Sequence, residues 1–349
     1  MRGVIPVAEQ LDRARRELAV DVPLNGRIAL ILIDNALELM CHQKAADVLE
    51  RDRGKRTLTP TQRTDARGQV FGRKVAVLKV LGHIPPEQAR AINIFHRHRN
   101  QLYHVGLRND PVVGHLARRY FELTVGLMAP LLGKERHLRW EPTLLDETAI
   151  RVLPELATAS RYKNKVGITH LAERLLSDRH EPVQGFQAAL RDQLLARIDL
   201  SEADFAIIAT GRSGKDDPHE TLRRIQLEHD TLEELFKVRR DQDKERRRRG
   251  LPEQPLDEAF MSMARWMPIL VELNGRLLPR WRPKQARLPF EPWRKQARAV
   301  GTKTDTLQTL DEFDRVLREI ELLDEVMAEP IDDMHGWHQH MEDVMMDRR

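Results

Sequence analysis

Arg99, Asn100 and His104 stand close together in the run RHRNQLYHVG, residues 97–106, and between them supply the parts of an acid–base site. Arginine is a fixed cation whose planar fork suits carboxylate or phosphoryl oxygens. Histidine titrates near neutral pH and can carry a proton. Asparagine offers an amide that can orient an imidazole. Together they suit a reaction in which one group moves a proton while another stabilises charge developing on oxygen.

The segment EQARAINIFHRHRNQLY, residues 87–103, has the apolar spacing of a helix, predicted to begin near Pro86. Ile92, Phe95, Arg99 and Leu102 share one face, so a guanidinium lies in line with apolar side chains. It must meet a partner or an anionic ligand there, because burying it alone is too costly. His96, Asn100 and His104 follow one another at i, i+4 and i+8 and can touch along the helix. Arg97 and Tyr103 flank them. Gly106 ends the pattern, leaving His104 in the last turn, where the helix dipole favours imidazolium. Upstream, Asn25 is a fair N-cap for GRIALILIDNALELMCHQKAADVL, residues 26–49, which is apolar on nearly every side through Ile33. That helix is expected at the centre of its domain. Asp34, Asn35 and Glu38 interrupt it, and Arg99 is the obvious counter-ion for a buried carboxylate. The two acids serve either as an ion pair that steadies the fold or as groups that position Arg99.

Arginine, a polar residue, a few positions and then histidine near a helix end, behind a long apolar helix, resembles the HEPN superfamily over residues 20 to 135 or so. The resemblance implies an all-α helical bundle and a metal-independent endoribonuclease. In that chemistry the RNA 2′-hydroxyl attacks the adjacent phosphate and leaves a cyclic phosphate. His104 would shuttle the proton, Arg99 would stabilise the phosphoryl oxygens and Asn100 would hold the imidazole. Asp34, Glu38, His96, Arg97 and Tyr103 would support the site or touch substrate. Residues five apart on a helix point roughly 140° away from each other, so one helix converges Arg99 and His104 poorly. Members of the family usually dimerise, and a two-fold pairing through Ile92, Phe95 and Leu102 would bring two such helices together. RNA as partner, a homodimer, an antitoxin or regulatory protein, a toxin or antiviral-defence setting and no metal or cofactor follow from the same resemblance. Relatives silenced by adenylylation carry tyrosine two residues after the histidine, where this chain has Gly106. Relatives without activity give the alternative, a non-catalytic module binding RNA, a nucleotide or a protein. A helical scaffold centred on residues 141–349 is a third reading. Arg224 and His229 repeat the spacing of the motif, but Ile225 follows the arginine in a uniformly charged segment, which marks a coincidence.

With 349 residues, 41% hydrophobic and only 5% aromatic, the chain is long enough for two mainly helical domains, expected at 1–140 and 141–349. Its one cysteine, Cys41, lies in an apolar run and reads as a core residue, which leaves no disulfide framework. No signal-peptide core or membrane-length apolar run is present, so a cytoplasmic protein without membrane contact is expected. Residues 1–140 hold 24 Lys and Arg against 14 Asp and Glu, whereas residues 301–349 hold 5 against 14. The basic half is therefore the half with the motif, as suits a polyanion partner, although a merely solvated basic surface gives the same count.

The other expectations are coarser. Residues 51–69 read as a basic polar connector, 70–81 and 110–133 as helices, and 143–153, 165–177, 183–198 and 201–210 as short helices. Residues 218–249 read as a long charged helix ended by Arg246–Arg249, residues 256–278 as a packed helix, and Pro279 to Trp293 as irregular. The acidic end opens with an amphipathic helix at 305–328. It is expected either to lie over the basic motif domain or to pack on residues 141–300 through Leu307, Leu310, Phe313, Leu317 and Ile320. GRSGK at 211–215 lacks the first glycine and the Ser/Thr of a phosphate-binding loop, and His335, His338 and His340 lack partners for a metal.

Overall fold

The computed structural model describes residues 4–20, 22–104, 112–138, 147–154, 164–177, 185–211, 216–251 and 281–346. Within these, side chains 55, 102–104, 136–138, 147–149, 164–166, 235, 239, 338 and 341–346 are not described. Among the described residues the chain is all-α, apart from one two-stranded ribbon, and it divides into two compact units. The first comprises Met1–Gln193 with Arg298–Arg315, and the second Leu194–Ala297 with Val316–Arg349.

In the first unit, α1 (Val4–Leu18) leads into α2 (Pro23–Lys55), followed by α3 (Pro60–Arg67), α4 (Phe71–Val80) and α5 (Pro86–His104). Then come α6 (Val112–Gly126) and α7 (Met128–Leu132), α8 (Glu147–Val152) and α9 (Ile168–Ser177). Strands β1 (Glu135–Leu138) and β2 (Asn164–Gly167) pair antiparallel, Glu135 opposite Gly167. Helix α2 is the axis of this unit: α1, α3, α4, α5, α6 and α7 all pack on it. Its Leu30, Ile33, Leu37, Met40 and Cys41 are fully buried, which is why its apolar residues run round every side. Burial pushes the Cys41 thiol well above its usual range, so it serves as a small core residue.

Several boundaries differ from the sequence expectation, each for a local reason. Helix α2 starts at Pro23, with Val22 as its N-cap and no side-chain cap; Asn25 instead donates to Glu17 from inside the helix at 2.5 Å. The connector at 51–69 is mostly helical. Asp52, near the end of α2, accepts from the Leu58 backbone (2.8 Å), the Thr57 hydroxyl (3.2 Å) and Arg63 Nε (2.6 Å). A capping box between Thr59 and Gln62, with Pro60 next, then starts α3. Lys74, buried on α4, donates to the Ala66 and Gly68 carbonyls and so satisfies the end of α3. The stretch 110–133 breaks at Leu127, since Pro130 cannot donate to the helix before it. Residues 165–167, expected at the start of a helix, belong to the strand Asn164–Gly167.

The second unit takes α10 (Phe186–Thr210) from Leu194, α11 (Pro218–Arg248), α12 (Phe290–Val300) up to Ala297 and α13 (Thr306–Met346) from Val316. The segments 183–198 and 201–210, expected as separate short helices, join from Phe186 into the continuous α10, within which Ser201 is buried. Trp293 is buried beside Phe290, and its indole donates to Glu319 at 2.8 Å. Trp281 donates to Asp230 on α11 at 2.9 Å. Helix α13 continues past Pro330, although one backbone bond is lost there, and Val326, Met327 and Met334 stay buried on either side. Residues 256–278 and most of GRSGK lie outside the described residues. No described helix is long and apolar enough to cross a membrane.

Of the amphipathic stretch 305–328, residues 305–315 belong to the first unit, where they meet α5, whereas Leu317 and Ile320 belong to the second. Arg90 Nε lies 3.0 Å from Asp311, Arg97 pairs with buried Asp314, and Phe313 stacks on His98 with ring centres 5.7 Å apart.

Two stability predictions follow. A Cβ on Gly26 of α2 would stand 3.1 Å from the Gly114 backbone of α6, so these helices approach too closely for a branched side chain. Gly26→Val should cost about 1–3 kcal/mol in denaturant unfolding, and an unchanged midpoint would contradict the close packing. The Asp52 carboxyl is held down to about 2, chiefly by the Arg63 hydrogen bond and then the Leu58 amide. Its contribution is therefore present above about pH 4 and is lost as pH falls through the folded value. Asp52→Asn should lower the melting temperature at pH 7, with the deficit closing towards pH 2.

Candidate functional site

The site is built around Asp34, which α2 places at full burial among apolar neighbours. An ionised carboxylate there needs donors and cations from the surrounding helices. Helix α5 supplies two. His96 Nδ1 lies 2.9 and 3.2 Å from the two Asp34 oxygens, and Arg99 Nε lies 3.1 Å from Oδ2. Helix α6 supplies the third, the Tyr120 hydroxyl, donating to Oδ1 at 2.7 Å. Burial and then Asp34 itself push the Tyr120 phenol well above its usual range, so it remains a donor.

Further contacts fix the orientation of these groups. Arg99 Nη2 donates to Asn35 Oδ1 and Nη1 to Asn100 Oδ1, both at 2.9 Å. The recorded partner of the Asn100 carbonyl is thus Arg99. The His96 ring packs on Phe71 of α4, centres 4.8 Å apart, and Phe95 stacks on Tyr120 at 4.6 Å. The Nδ1–H donated to Asp34 leaves Nε2 as the basic nitrogen, and among the described residues nothing bonds it. The imidazole side chain is 23% exposed and the Arg99 side chain 17%, so both reach solvent at the edge of the cluster. Glu38, one turn along α2, lies 3.7 Å from His96 Nδ1. Its carboxyl is pushed up by burial and by Asp34, and pulled part of the way back by Arg99 and His96.

The structure therefore gathers Asp34, Glu38, His96, Arg99 and Asn100. Arg97, on the side of α5 that meets α13, is paired with Asp314 and lies outside this cluster. The side chains of Tyr103 and His104 are not among those described; the backbone of both belongs to α5. Ile92 and Phe95, expected at an interface between copies, are at 0% and 2% exposure and belong to the core, whereas the Leu102 side chain lies outside those described. Asn35 and Tyr120 are the members that sequence reasoning assigned no role. Asn35 interrupted an apolar helix and so carried a signal, whereas Tyr120 matched the inward spacing of an ordinary core residue.

The ligand atoms of Asp34, Glu38 and His96 lie within 4.8 Å of one another, a separation that a divalent ion accepts. Arg99 already sits on the Asp34 oxygen that such an ion would use. A metal would meet a guanidinium at contact distance in a poorly screened setting, which opposes its binding. Comparison with protein-family models, with curated proteins and with solved structures finds no match to this chain.

A pH effect on stability follows from Glu38. Its folded-state value is raised, so its charge costs stability as pH rises through that value and costs nothing well below it. Glu38→Gln should melt higher than the parent at pH 8, with the difference gone near pH 4. A variant that gains nothing at pH 8 would show the charge to be fully offset by Arg99 and His96.

Proposed function

We propose that this protein is a metal-independent endoribonuclease of HEPN type. The observation that carries the reading is that Arg99 and an imidazole on the same helix are held by one buried carboxylate. A cation and a proton carrier in a partly dehydrated cluster are the two parts that 2′-hydroxyl attack on a phosphate requires. Arg99 stabilises charge on the phosphoryl oxygens, and His104, by the motif, carries a proton. The surplus of basic residues over 1–140 favours a polyanionic substrate. One observation favours a second reading, a module that binds RNA, a nucleotide or a protein without cleaving: Arg99 spends hydrogen bonds on Asn35 and Asn100 as a structural arginine does.

Incubation of the purified protein with total and transfer RNA in EDTA separates the two. Cleavage is expected, with RNA but not DNA cut and cyclic-phosphate or phosphate 3′ ends. Arg99→Ala and His104→Ala should each lower the rate about 100-fold or more, whereas His229→Ala, at the decoy spacing, should match the parent. Binding without cleavage would select the second reading. Activity only on adding a divalent metal would move the chemistry to Asp34, Glu38 and His96.

A further inference from the structure

His96 and Arg99, three residues apart on α5, converge. Both reach Asp34 Oδ2, at 2.9 Å and 3.1 Å, from within a single protomer. His96 has the surroundings of a general base. A carboxylate takes Nδ1–H and so sets the tautomer, Phe71 packs the ring, and Nε2 has no partner among the described residues. A hydrogen-bonded carboxylate also stabilises the imidazolium that forms when Nε2 takes a proton. The charged and titratable groups recorded around the imidazole are Asp34 and Glu38 from α2, Arg99 from α5 and, through Asp34, Tyr120 from α6; α4 presents Phe71.

We infer that His96 is a catalytic residue of this site, the base that takes the proton from the attacking RNA 2′-hydroxyl, with Asp34 as its positioning residue. The inference rests on the ribonuclease reading and deepens it. The 2′-hydroxyl proton passes to His96 Nε2 as the bond from O2′ to phosphorus forms. The bond from phosphorus to the 5′ oxygen breaks, and that oxygen takes a proton from a general acid, the role that the motif gives His104. The products are a 2′,3′-cyclic phosphate and a 5′-hydroxyl, and solvent then exchanges the proton on His96 for that lost from His104. Arg99, held beside His96 by the same carboxylate, faces the charge that builds on the phosphoryl oxygens. One protomer thus carries base and cation together.

The test uses the full chain in EDTA with two substrates. One is an oligoribonucleotide, the other a ribonucleoside 3′-(4-nitrophenyl phosphate), whose leaving group needs no acid. His96→Ala should lower cleavage of both about 100-fold or more, and added imidazole should restore part of the rate. His104→Ala should lose the oligonucleotide reaction but largely keep the nitrophenyl one. The acidic limb of the pH–rate profile should shift to the pKa of the rescuing base in His96→Ala, which a merely structural role would not produce. His96→Gln serves in its place if the alanine variant melts at lower temperature. Loss of rate without rescue, or with an unchanged acidic limb, overturns the inference and makes His96 structural. Parent-like rates in His96→Ala overturn it while the ribonuclease reading stands. A parent protein that cleaves neither substrate overturns the ribonuclease reading, and the inference falls with it.

Discussion

The first unit depends on one buried charge. Asp34 lies on the helix that six others pack against, and it has no access to water. Leaving a carboxylate uncompensated there would cost several kcal/mol, a large share of what a domain has to spare. Its partners come from two other helices: His96 and the ion-paired Arg99 from α5, and the Tyr120 hydroxyl from α6. Each contact fixes rotation as well as distance, because a helix turned by one residue would present different side chains. The stack of Phe95 on Tyr120 and the close passage of Gly26 by Gly114 work with these bonds to set how α5 and α6 lie on α2.

The chemistry of the site follows from the same constraint. A carboxylate that must be neutralised selects a guanidinium, and one that must be hydrogen-bonded selects an imidazole and a phenol. Placing the first two a single turn apart gives a cation and a proton carrier side by side. Tyr120 differs from them in being wholly buried and held protonated, so it serves Asp34 and cannot take part in proton transfer near neutral pH. Fold and site are in this sense one arrangement, and a change at Asp34 would disturb both. The histidine, being partly exposed, is where the two roles can be separated.

What the sequence made legible was governed by locality. The helix at 86–104 and the need of Arg99 for an acid could be read from spacing, because a charge on an apolar stripe is a local anomaly. That His96 shares that acid could not, since it depends on the rotation of α5 relative to a residue 62 positions earlier. Tyr120 looked like packing because a hydroxyl adds nothing to the periodicity of its helix. The stretch 51–69 looked like a loop because its order comes from one carboxylate, Asp52, gathering three donors across a turn. Ile92 and Phe95 show a different limit: an apolar stripe reads the same whether it faces a core or a second copy, and here it faces the core. Composition was enough for the all-α class, but it gave no sign of the short ribbon at 135–138 and 164–167.

Charge counts over long segments also need the structure to be interpreted. Two of the basic residues of 1–140, Arg90 and Arg97, are met within the same unit by acids from residues 298–315, which the linear count assigns to the opposite half. Arg90 and Asp311 form a partly exposed pair, worth no more than about 1 kcal/mol and weakened by salt. Arg97 and Asp314 are different, because Asp314 is only 4% exposed and would be left buried and unpaired if Arg97 turned to a phosphate. Arg97 is therefore committed to holding α13 against α5, and Phe313 on His98 adds apolar contact to the same seam. Helix α5 thus has one side closed by α13 and another that carries the Asp34 cluster. What a count of basic residues along this helix does not show is that one imidazole and one guanidinium are gathered at a single buried carboxylate.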